Sequence, residues 1–462
     1  MSVFSRSKSP EILIVGAGPA GLILALALLQ NDVPVRIIEK TTHPRIGQRG
    51  SGITPRSLEV FEALGIVNQV LKKAINVPKV CLYKLPGGTE VLKEIERATL
   101  EPTPTCPYVN FRQLGQDSLD RIIQADIQKY GCAVELGVEL LSVEQSDDHT
   151  NVKILNHRPG GGGPTQQDMT YKWVIGADSA KSVVRKQLGL SFLGEATEEN
   201  MVVGDIRIEG LSEDRIHVWG DLSSTMTAIR PSETSGVFTI IAGGPKFGNP
   251  ETICVDEAAL KEALRQSTGN RSDIKFGEII CMNPYRPQIR MVDEFRKGGI
   301  FVTGDAGHVH SPPGGQGMNT GIQDSFNLGW KLALVAKQLA PPSLLDTYSE
   351  ERLPVVAEML NITTSLLKKT IKNFNDEADL IQTILIVGKE QGKEIDVVNP
   401  HGVRAFKDRD NHGNDAFLGS KNDGKFGVFV IRPDRVLGAR VQSPQGLESY
   451  FQSIFGKTEE NE

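Results

Sequence analysis

Residues 12–40 read ILIVGAGPAGLILALALLQNDVPVRIIEK, with a glycine-rich turn between a short apolar strand and an apolar helix. The closing segment VPVRIIEK is rich in β-branched residues and is typical of a second strand. A strand, a helix and a strand within about 30 residues form a βαβ crossover, whose strands lie parallel in one sheet. The stretch therefore predicts an α/β fold built on a parallel sheet.

The turn carries the pattern G-x-G-x-x-G at Gly16, Gly18 and Gly21. The first glycine allows a tight turn, the second lets a pyrophosphate approach the backbone, and the third lets the helix pack on the strand. The helix start offers free N–H groups to the phosphates. Glu39 ends the second strand, where an acid accepts hydrogen bonds from an adenosine ribose. The segment predicts a Rossmann-like dinucleotide site but does not separate FAD from NAD.

A second glycine-rich stretch, GDAGHVHSPPGGQGMNTG, occupies residues 304–321 between a strand-like segment and a long apolar helix. Asp305 follows the strand, at the edge where open α/β sheets bind ligands. Gly315 and Gly317 then precede the helix and leave its N–H groups bare. One extended dinucleotide could span both glycine-lined helix starts, with phosphates at the first and a ring that becomes anionic, such as reduced flavin, at the second.

A third segment, WVIGADSAKSVVRKQLGL at residues 173–190, leaves two alternatives open for each of its charged residues. Asp178 could accept a hydrogen bond from a ligand hydroxyl or cap the helix that follows. Arg185 could reach a phosphate or lie on the helix surface.

Composition limits the classes of function. A net charge of −6 with mixed acids and bases disfavours binding to nucleic acid or to a membrane surface. The five cysteines are scattered, and no Cys/His cluster has zinc spacing, so we expect no metal site. The first ten residues lack the apolar region of a signal peptide, and no transmembrane segment is evident. We expect a cytoplasmic enzyme.

The three motifs together resemble those of class A flavoprotein monooxygenases, the family of para-hydroxybenzoate hydroxylase and phenol hydroxylase. GAGPAG with Glu39 is similar to the family's ADP-binding motif, GADSAKSVVR to its G-A-D-G-x-x-S-x-V-R motif, and GDAGHVHSPPGGQGMNTGIQD to its G-D-A-A-H…P…G-x-G-x-N motif. YSEERLP at residues 348–354 resembles its Y-x-x-E-R-x-P segment. Order and spacing match across about residues 10–360, and one departure is Ser179, where the family has glycine.

The resemblance implies a para-hydroxybenzoate hydroxylase-like fold: a Rossmann-like FAD-binding domain, an inserted β-sheet substrate domain and a helical C-terminal region. The β-rich pattern after Met201 agrees with such an insertion. We expect the FAD-binding domain at 10–80, 105–195 and 285–360, the substrate domain at 81–104 and 196–284, and C-terminal helices with a shortened thioredoxin-like remnant at 361–462.

By the same resemblance, Asp305 would hold the ribityl chain, Pro312 would lie beside the flavin ring, and the backbone from Gly315 to Asn319 would face its pyrimidine side. The expected cofactor residues are Gly16, Gly18, Ala20, Gly21, Glu39, Lys40, Arg49, Arg112, Asp178, Gly304, Asp305, Pro312, Gly315, Gly317, Met318 and Asn319. Arg49, Pro312 and His310 are the candidates for a direct part in the reaction.

The resemblance further implies that NAD(P)H binds transiently and reduces FAD, and that O₂ then gives a C4a-hydroperoxyflavin that hydroxylates an electron-rich ring. We expect a phenolic or polyketide-like aromatic substrate, although Ser51 stands where phenol hydroxylase has an acid. Candidates for the pocket are His217, Trp219, Arg230, Phe238 and Tyr285.

Two alternatives remain. The same flavin chemistry could perform a Baeyer–Villiger oxidation or an epoxidation in secondary metabolism, or the chain could bind flavin without oxygenase activity. The choice between NADPH and NADH stays open, as does a homodimer.

Overall fold

The computed structural model describes residues 10–48, 50–104, 106–157, 163–196, 200–310, 315–372, 428–441 and 444–455. The strands are β1 Ile12–Val15, β2 Val35–Glu39, β3 Gly52–Ile53, β4 Ile75–Asn76, β5 Lys79–Tyr83, β6 Val91–Ile95, β7 Arg112–Gln113, β8 Val134–Leu136, β9 Val138–Gln145, β10 Thr150–Asn156, β11 Thr165–Tyr171, β12 Trp173–Gly176, β13 Leu193–Ala196, β14 Met201–Glu209, β15 Arg215–Asp221, β16 Thr225–Pro231, β17 Val237–Gly243, β18 Lys275–Tyr285, β19 Gln288–Met291, β20 Arg296–Lys297, β21 Ile300–Val302, β22 His308–Val309, β23 Val428–Ile431 and β24 Leu437–Val441. The helices are α1 Pro19–Gln30, α2 Pro55–Ala63, α3 Val67–Lys73, α4 Gln116–Gln128, α5 Val183–Gln187, α6 Pro250–Ile253, α7 Glu257–Ser267, α8 Gln316–Ala336, α9 Thr347–Lys372 and α10 Pro444–Phe455.

The sheet predicted from residues 12–40 has six strands in the order β20-β21-β12-β1-β2-β8. Strand β1 lies between β12 and β2 and runs parallel to both, with Ile14 opposite Ile37 and Ile175. Its four residues are buried, as expected for a strand covered on both faces. Helices α1 and α8 pack against each other, and Gly329 permits the contact because a Cβ there would lie only 2.9 Å from the Ala27 side chain. The predicted α/β architecture is confirmed.

A second sheet has seven strands in the order β18-β14-β17-β16-β15-β5-β6. One face carries a separate apolar core that includes Ile206, Phe238 and Ile240 and is covered by Leu260 and Leu264 of α7. Because side chains alternate along each strand, the neighbouring residues project from the opposite face. That second face lies toward the loop after β2, since Asp205 accepts a hydrogen bond from the backbone of Gln48.

Strands β23 and β24 form an antiparallel C-terminal hairpin, with Val428 opposite Val441. Charged side chains attach it to the nucleotide-binding part of the chain. Arg432 donates to both carboxylate oxygens of Glu351 at 2.6 and 2.7 Å, and Arg435 donates to Glu62 at 2.8 Å. Asp434, which is almost fully buried, accepts from Asn327 at 3.0 Å. The hairpin is thus fastened to α2, α8 and α9. Within the described ranges, no helix is both long and apolar enough to cross a membrane.

Candidate cofactor and substrate site

The first glycine turn has the geometry of a phosphate cradle. Gly16 has φ +106°, and a Cβ there would collide with the carbonyl of Ala177. A Cβ on Gly21 would collide with the carbonyl of Gly16. Gly18 is the N-cap of α1 and no side chain caps that end, so the first N–H groups of the helix are available to an anion. A pyrophosphate therefore fits the turn.

Two charged side chains border this cradle. The Glu39 carboxylate is oriented by the backbone N–H groups of Ala17 at 3.1 Å and Thr41 at 3.0 Å, which suits a hydrogen bond to a ribose. Lys40, beside it, is exposed. Arg45 lies nearer the turn, with Nη2 at 3.5 Å from where a Cβ on Gly18 would be. The sequence reasoning missed Arg45 because it belongs to no motif.

The two glycine-rich stretches meet in space. Gly304 has φ +56°, and a Cβ there would lie 3.0 Å from the Ala20 side chain and 3.6 Å from the Cα of Gly321. The end of β21 and the start of α8 therefore adjoin the start of α1. Asp305, the next residue, is exposed at this edge of the sheet. One cofactor of the length of FAD fits along both helix starts.

Gly315 is the N-cap of α8 in the left-handed conformation, with φ 60°. Asn319, one turn later, is fully buried. Its Oδ1 accepts from Ser57 Oγ at 2.7 Å and from the backbone of Thr54 at 3.0 Å, while Nδ2 donates to the carbonyl of Gly52 at 2.8 Å. The side chain thus holds α8 against β3 and α2, and only its backbone could serve a flavin ring.

Asp178 turns out to cap α5. It accepts from Val183 N at 2.7 Å, Val184 N at 3.3 Å and Ser182 Oγ at 2.5 Å. Burial raises its pKa. Of the two roles open at the sequence level the structure shows the cap, and the cofactor contact stays an expectation. Ser179 follows with φ +68°, a conformation that favours glycine, which explains the family's preference there.

Arg185 takes neither of its two expected roles. It is buried, donates to the carbonyls of Ala306 at 2.9 Å and Ala180 at 2.7 Å, and stacks on Phe192 at 3.7 Å. Its guanidinium therefore links the segment at residues 173–190 to the glycine-rich stretch that begins at Gly304.

The two histidines of the HVHS segment, His308 and His310, have different surroundings. His308 is fully buried, with Nε2 at 2.6 Å from Asp324, which also accepts from Arg352 at 2.7 Å. This buried cluster fixes β22 against α8 and α9. His310 adjoins the start of α8, because a Cβ on Gly317 would lie 2.8 Å from its Nε2. Arg49 and Pro312 lie outside the described residues, and Arg112 donates to Asn76.

Three of the five pocket candidates lie on the wrong face of the seven-stranded sheet. Trp219 is fully buried, stacks on Tyr83 and donates from Nε1 to the carbonyl of Gly88 at 2.9 Å. His217 stacks on the same two rings, and Phe238 lies in the core beneath α7. Strand alternation places all three away from the cofactor side, so their role is packing.

Arg230 and Tyr285 lie on the face toward the cofactor. Arg230 of β16 is paired with Thr239 of β17, which is paired with Asp205 of β14. Tyr285 of β18 is paired with Met201, which lies four residues before Asp205 on β14 and therefore on the same face. Burial, aided by the charge of Asp305, raises the pKa of Tyr285 to about 12. The loop after β2 connects this face with the second glycine-rich stretch, because Gln48 N donates to Asp205 at 2.6 Å and a Cβ on Gly50 would lie 4.0 Å from the Cβ of Met318.

The surface around them is apolar and only partly covered. Val203, Met226, Ala228 and Ile241 belong to this face and are all partly exposed. An apolar wall with few polar groups is typical of a small-molecule pocket.

Two further acids, absent from the expected list, shape the site. Asp205 accepts from Gln48 N at 2.6 Å and from Thr239 Oγ1 at 2.8 Å. Asp120 of α4 has its Oδ2 3.8 Å from Arg45 Nε, and its Oδ1 is buried without a partner. Burial raises the pKa of Asp120 to about 7. In the sequence, Asp205 and Asp120 could be noticed only as polar residues at strand or helix positions where apolar residues are expected.

With this geometry in place, comparison with known proteins identifies the family. Residues 9–363 match the model of the FAD binding domain family. The chain belongs to this family. A flavin-dependent monooxygenase of Mycobacteroides abscessus is 35% identical over 368 residues, covering 77% of this chain and 74% of its own length. The 6-methylpretetramide 4-monooxygenase of Streptomyces rimosus is 33% identical over 361 residues, covering 78% of this chain and 62% of its own. This member is therefore a flavoprotein monooxygenase that uses FAD, NAD(P)H and O₂.

Solved structures agree. The rebeccamycin biosynthetic enzyme RebC with reduced flavin matches with a TM-score of 0.65 at 26% identity, covering 78% of this chain and 68% of its own. Aklavinone-11 hydroxylase, in a ternary complex with FAD and aklavinone, gives 0.79 at 20% identity over 98% of this chain and all of its own. At this identity the likeness shows the fold alone.

Proposed function

We propose that this family member hydroxylates a phenolic or polyketide-like aromatic compound in the cytoplasm. One observation carries the proposal: a partly exposed apolar sheet face, bearing Arg230 and Tyr285, is joined at Asp205 to the loop after β2, and that loop adjoins Met318 at the glycine-lined start of α8. Hydroxylases of 6-methylpretetramide and pentachlorophenol among the relatives support this substrate class.

The cofactor roles follow from the geometry and belong to the same proposal. The start of α1 and Arg45 would hold the pyrophosphate, and Glu39 the adenosine ribose. Asp305 would hold the ribityl chain, and the backbone from Gly315 to Asn319 would face the ring. When bound and reduced, FAD supplies the activation of O₂.

The chain's own residues orient the substrate and exclude water. The apolar side chains of Val203, Met226 and Ile241 would pack on the aromatic ring. Tyr285, whose pKa burial raises to about 12, is protonated at neutral pH like any tyrosine. It would therefore donate a hydrogen bond to an oxygen on the ring, which orients the carbon to be hydroxylated.

The test is a reaction of the purified, FAD-loaded protein with NADPH or NADH and a set of aromatic compounds. We expect at least one aromatic to accelerate NAD(P)H oxidation and to give a product one oxygen heavier. Ring expansion or an epoxide would favour the Baeyer–Villiger or epoxidising alternative. If FAD binds but no aromatic accelerates NAD(P)H oxidation and none is oxygenated, the oxygenase proposal is wrong.

A further inference from the structure

Asp120 is a buried acid whose surroundings stabilise its charged form only weakly. It lies on α4 with 4% of its surface exposed, and its Oδ1 is buried without a partner. Its Oδ2 is 3.8 Å from Arg45 Nε, which is too long for a direct hydrogen bond. Burial without hydrogen bonds disfavours an ionised carboxylate. The charge of Arg45 is therefore the main support for the ionised form.

The other end of Arg45 faces the phosphate cradle. Its Nη2 is 3.5 Å from the position that a Cβ on Gly18 would take, and Gly18 begins α1 without a side-chain cap. A pyrophosphate at this helix start would attract the guanidinium through Nη2, while Asp120 lies at its Nε. Two anionic groups would then share one cation. The ionised form of Asp120 would thus lose part of its support and also meet the charge of the pyrophosphate.

The remaining charges near Asp120 do not make up this loss. The charges that act on its pKa are Arg45 and Arg121, which lower it, and Asp117 and Glu39, which raise it together with burial, the largest effect. The Arg121 side chain is mostly exposed and is paired with Asp117. Helix α1, which packs on α4, carries no charged residue, and Lys72 and Lys73 of α3, which also contacts α4, are exposed. The pKa of Asp120, about 7, places this balance in the neutral range.

We propose that Asp120 takes up a proton from solvent when the pyrophosphate of FAD binds, so that the protein with neutral Asp120 holds the cofactor more tightly than the protein with ionised Asp120. This assignment rests on the proposed function, because it takes Arg45 and the start of α1 to bind the pyrophosphate. Asp120 acts through Arg45 and is a positioning residue. Proton uptake on binding means that FAD affinity falls as pH rises through the neutral range.

The experiment titrates the cofactor-free protein with FAD between pH 6 and pH 8 and follows the quenching of flavin fluorescence. The pyrophosphate of FAD is a diester and stays fully ionised over this range. We expect the Kd to rise by about 10-fold, since an acid that titrates near pH 7 is about one-tenth ionised at pH 6 and about nine-tenths ionised at pH 8. Calorimetry in two buffers with different ionisation enthalpies should give an uptake of more than about half a proton per FAD near pH 7.5.

The decisive variant is Asp120→Asn, because the amide has the shape of the neutral acid and does not titrate. It should bind FAD at pH 8 about as tightly as at pH 6, with no proton uptake. Histidine is the other side chain that commonly takes up protons near neutral pH, and His43 is an exposed one in the same loop as Arg45. His43→Gln is therefore the matched control and should keep the wild-type pH dependence.

The outcomes separate the role of Asp120 from the proposed function. If FAD binds to the wild type equally well at pH 6 and pH 8 without proton uptake, or more tightly at pH 8, the role of Asp120 is wrong and the proposed function stands. A pH dependence that survives in Asp120→Asn, or that disappears in His43→Gln, also overturns this role. If the protein binds FAD at no pH, the proposed function itself fails.

Discussion

Ser179 and Asp120 each lie in a position that disfavours their residue type, Ser179 by its backbone conformation and Asp120 by its burial. The effect of each on the stability of the fold can be measured. Ser179 adopts a left-handed backbone with an exposed side chain. A non-glycine residue there costs roughly 1–2 kcal/mol, and part of that is offset because glycine loses more entropy on folding. We expect Ser179→Gly to raise the free energy of unfolding by about 0.5–1 kcal/mol, measured by denaturant titration. Ser182→Gly, which removes the α5 cap, should lower it. A loss of stability in Ser179→Gly would contradict this account of the motif.

Asp120 makes stability depend on pH. Its pKa in the folded chain, about 7, lies above the ordinary value of 3.8. The folded state therefore binds the proton more tightly, and stability is lost as pH rises from about 4 to about 7. Arg45, Asp117, Glu39 and Arg121 are the charges that influence it.

Asp120→Asn removes this dependence. Without added FAD, the variant should match the wild type near pH 4 and become more stable than it by pH 8, by at most about 4 kcal/mol. Thermal unfolding across this pH range measures the difference. Asp168→Asn, which changes an exposed acid on β11, is the control and should leave the pH dependence of stability as in the wild type. A difference between Asp120→Asn and wild type that stays constant with pH would be the contrary result.

The elements around the cofactor could be predicted from the sequence because glycine turns, buried strands and apolar helices leave strong patterns. The sequence did not allow us to predict which side chains project from each face of the seven-stranded sheet. His217 and Arg230 look alike as polar residues in strands, yet they point to opposite sides. A one-residue change of register inverts every side chain, and β14 carries two such irregularities against β18. Asp205 and Asp120 were not predicted for a related reason, because their roles depend on contacts with Gln48 and Arg45, which lie far from them in the sequence.

The C-terminal hairpin is an element whose attachment can be tested. Arg432 is largely buried between Glu351 and Asp434 and also lies over Trp330 at 5.3 Å. Removing one partner of a buried ion pair leaves the other charge uncompensated. We expect Arg432→Met to lower the free energy of unfolding by roughly 2–4 kcal/mol, because buried Asp434 keeps only the Asn327 amide as a side-chain partner, and adding Asp434→Asn to recover part of it. A loss below about 0.5 kcal/mol would show that the hairpin contributes little to stability.

Asp305 follows β21 and is the acid that would bind the ribityl chain of the cofactor. Asp305→Ala should weaken FAD binding by about 10-fold or more, since hydrogen bonds to a charged group contribute roughly 1.5–3 kcal/mol. Quenching of flavin fluorescence measures the affinity. Glu294→Ala, an exposed acid nearby in the chain, is the control and should leave it unchanged. Unchanged affinity in Asp305→Ala would remove Asp305 from the cofactor site.

In the whole molecule, hydrogen bonds join the part that carries the glycine turns to the seven-stranded sheet, as from Gln113 Nε2 to the carbonyl of Pro231. The six-stranded sheet and its helices present the glycine-lined edge, and the seven-stranded sheet presents an apolar face with Arg230 and Tyr285. Gln48, hydrogen-bonded to Asp205 and Glu233, fixes the loop after β2 against the second sheet. Motifs about 290 residues apart are thus brought together, since Gly16 and Gly304 both adjoin the start of α1, and under the proposed function they would hold one cofactor.

The most direct test of the central claim follows the oxygen atom. The FAD-loaded protein is supplied with NAD(P)H, an aromatic compound that accelerates NAD(P)H oxidation and heavy-isotope O₂, and the product is analysed by mass spectrometry. The account predicts that one labelled oxygen is found on the aromatic ring. Recovery of all the electrons as hydrogen peroxide, with no labelled aromatic product, would contradict it.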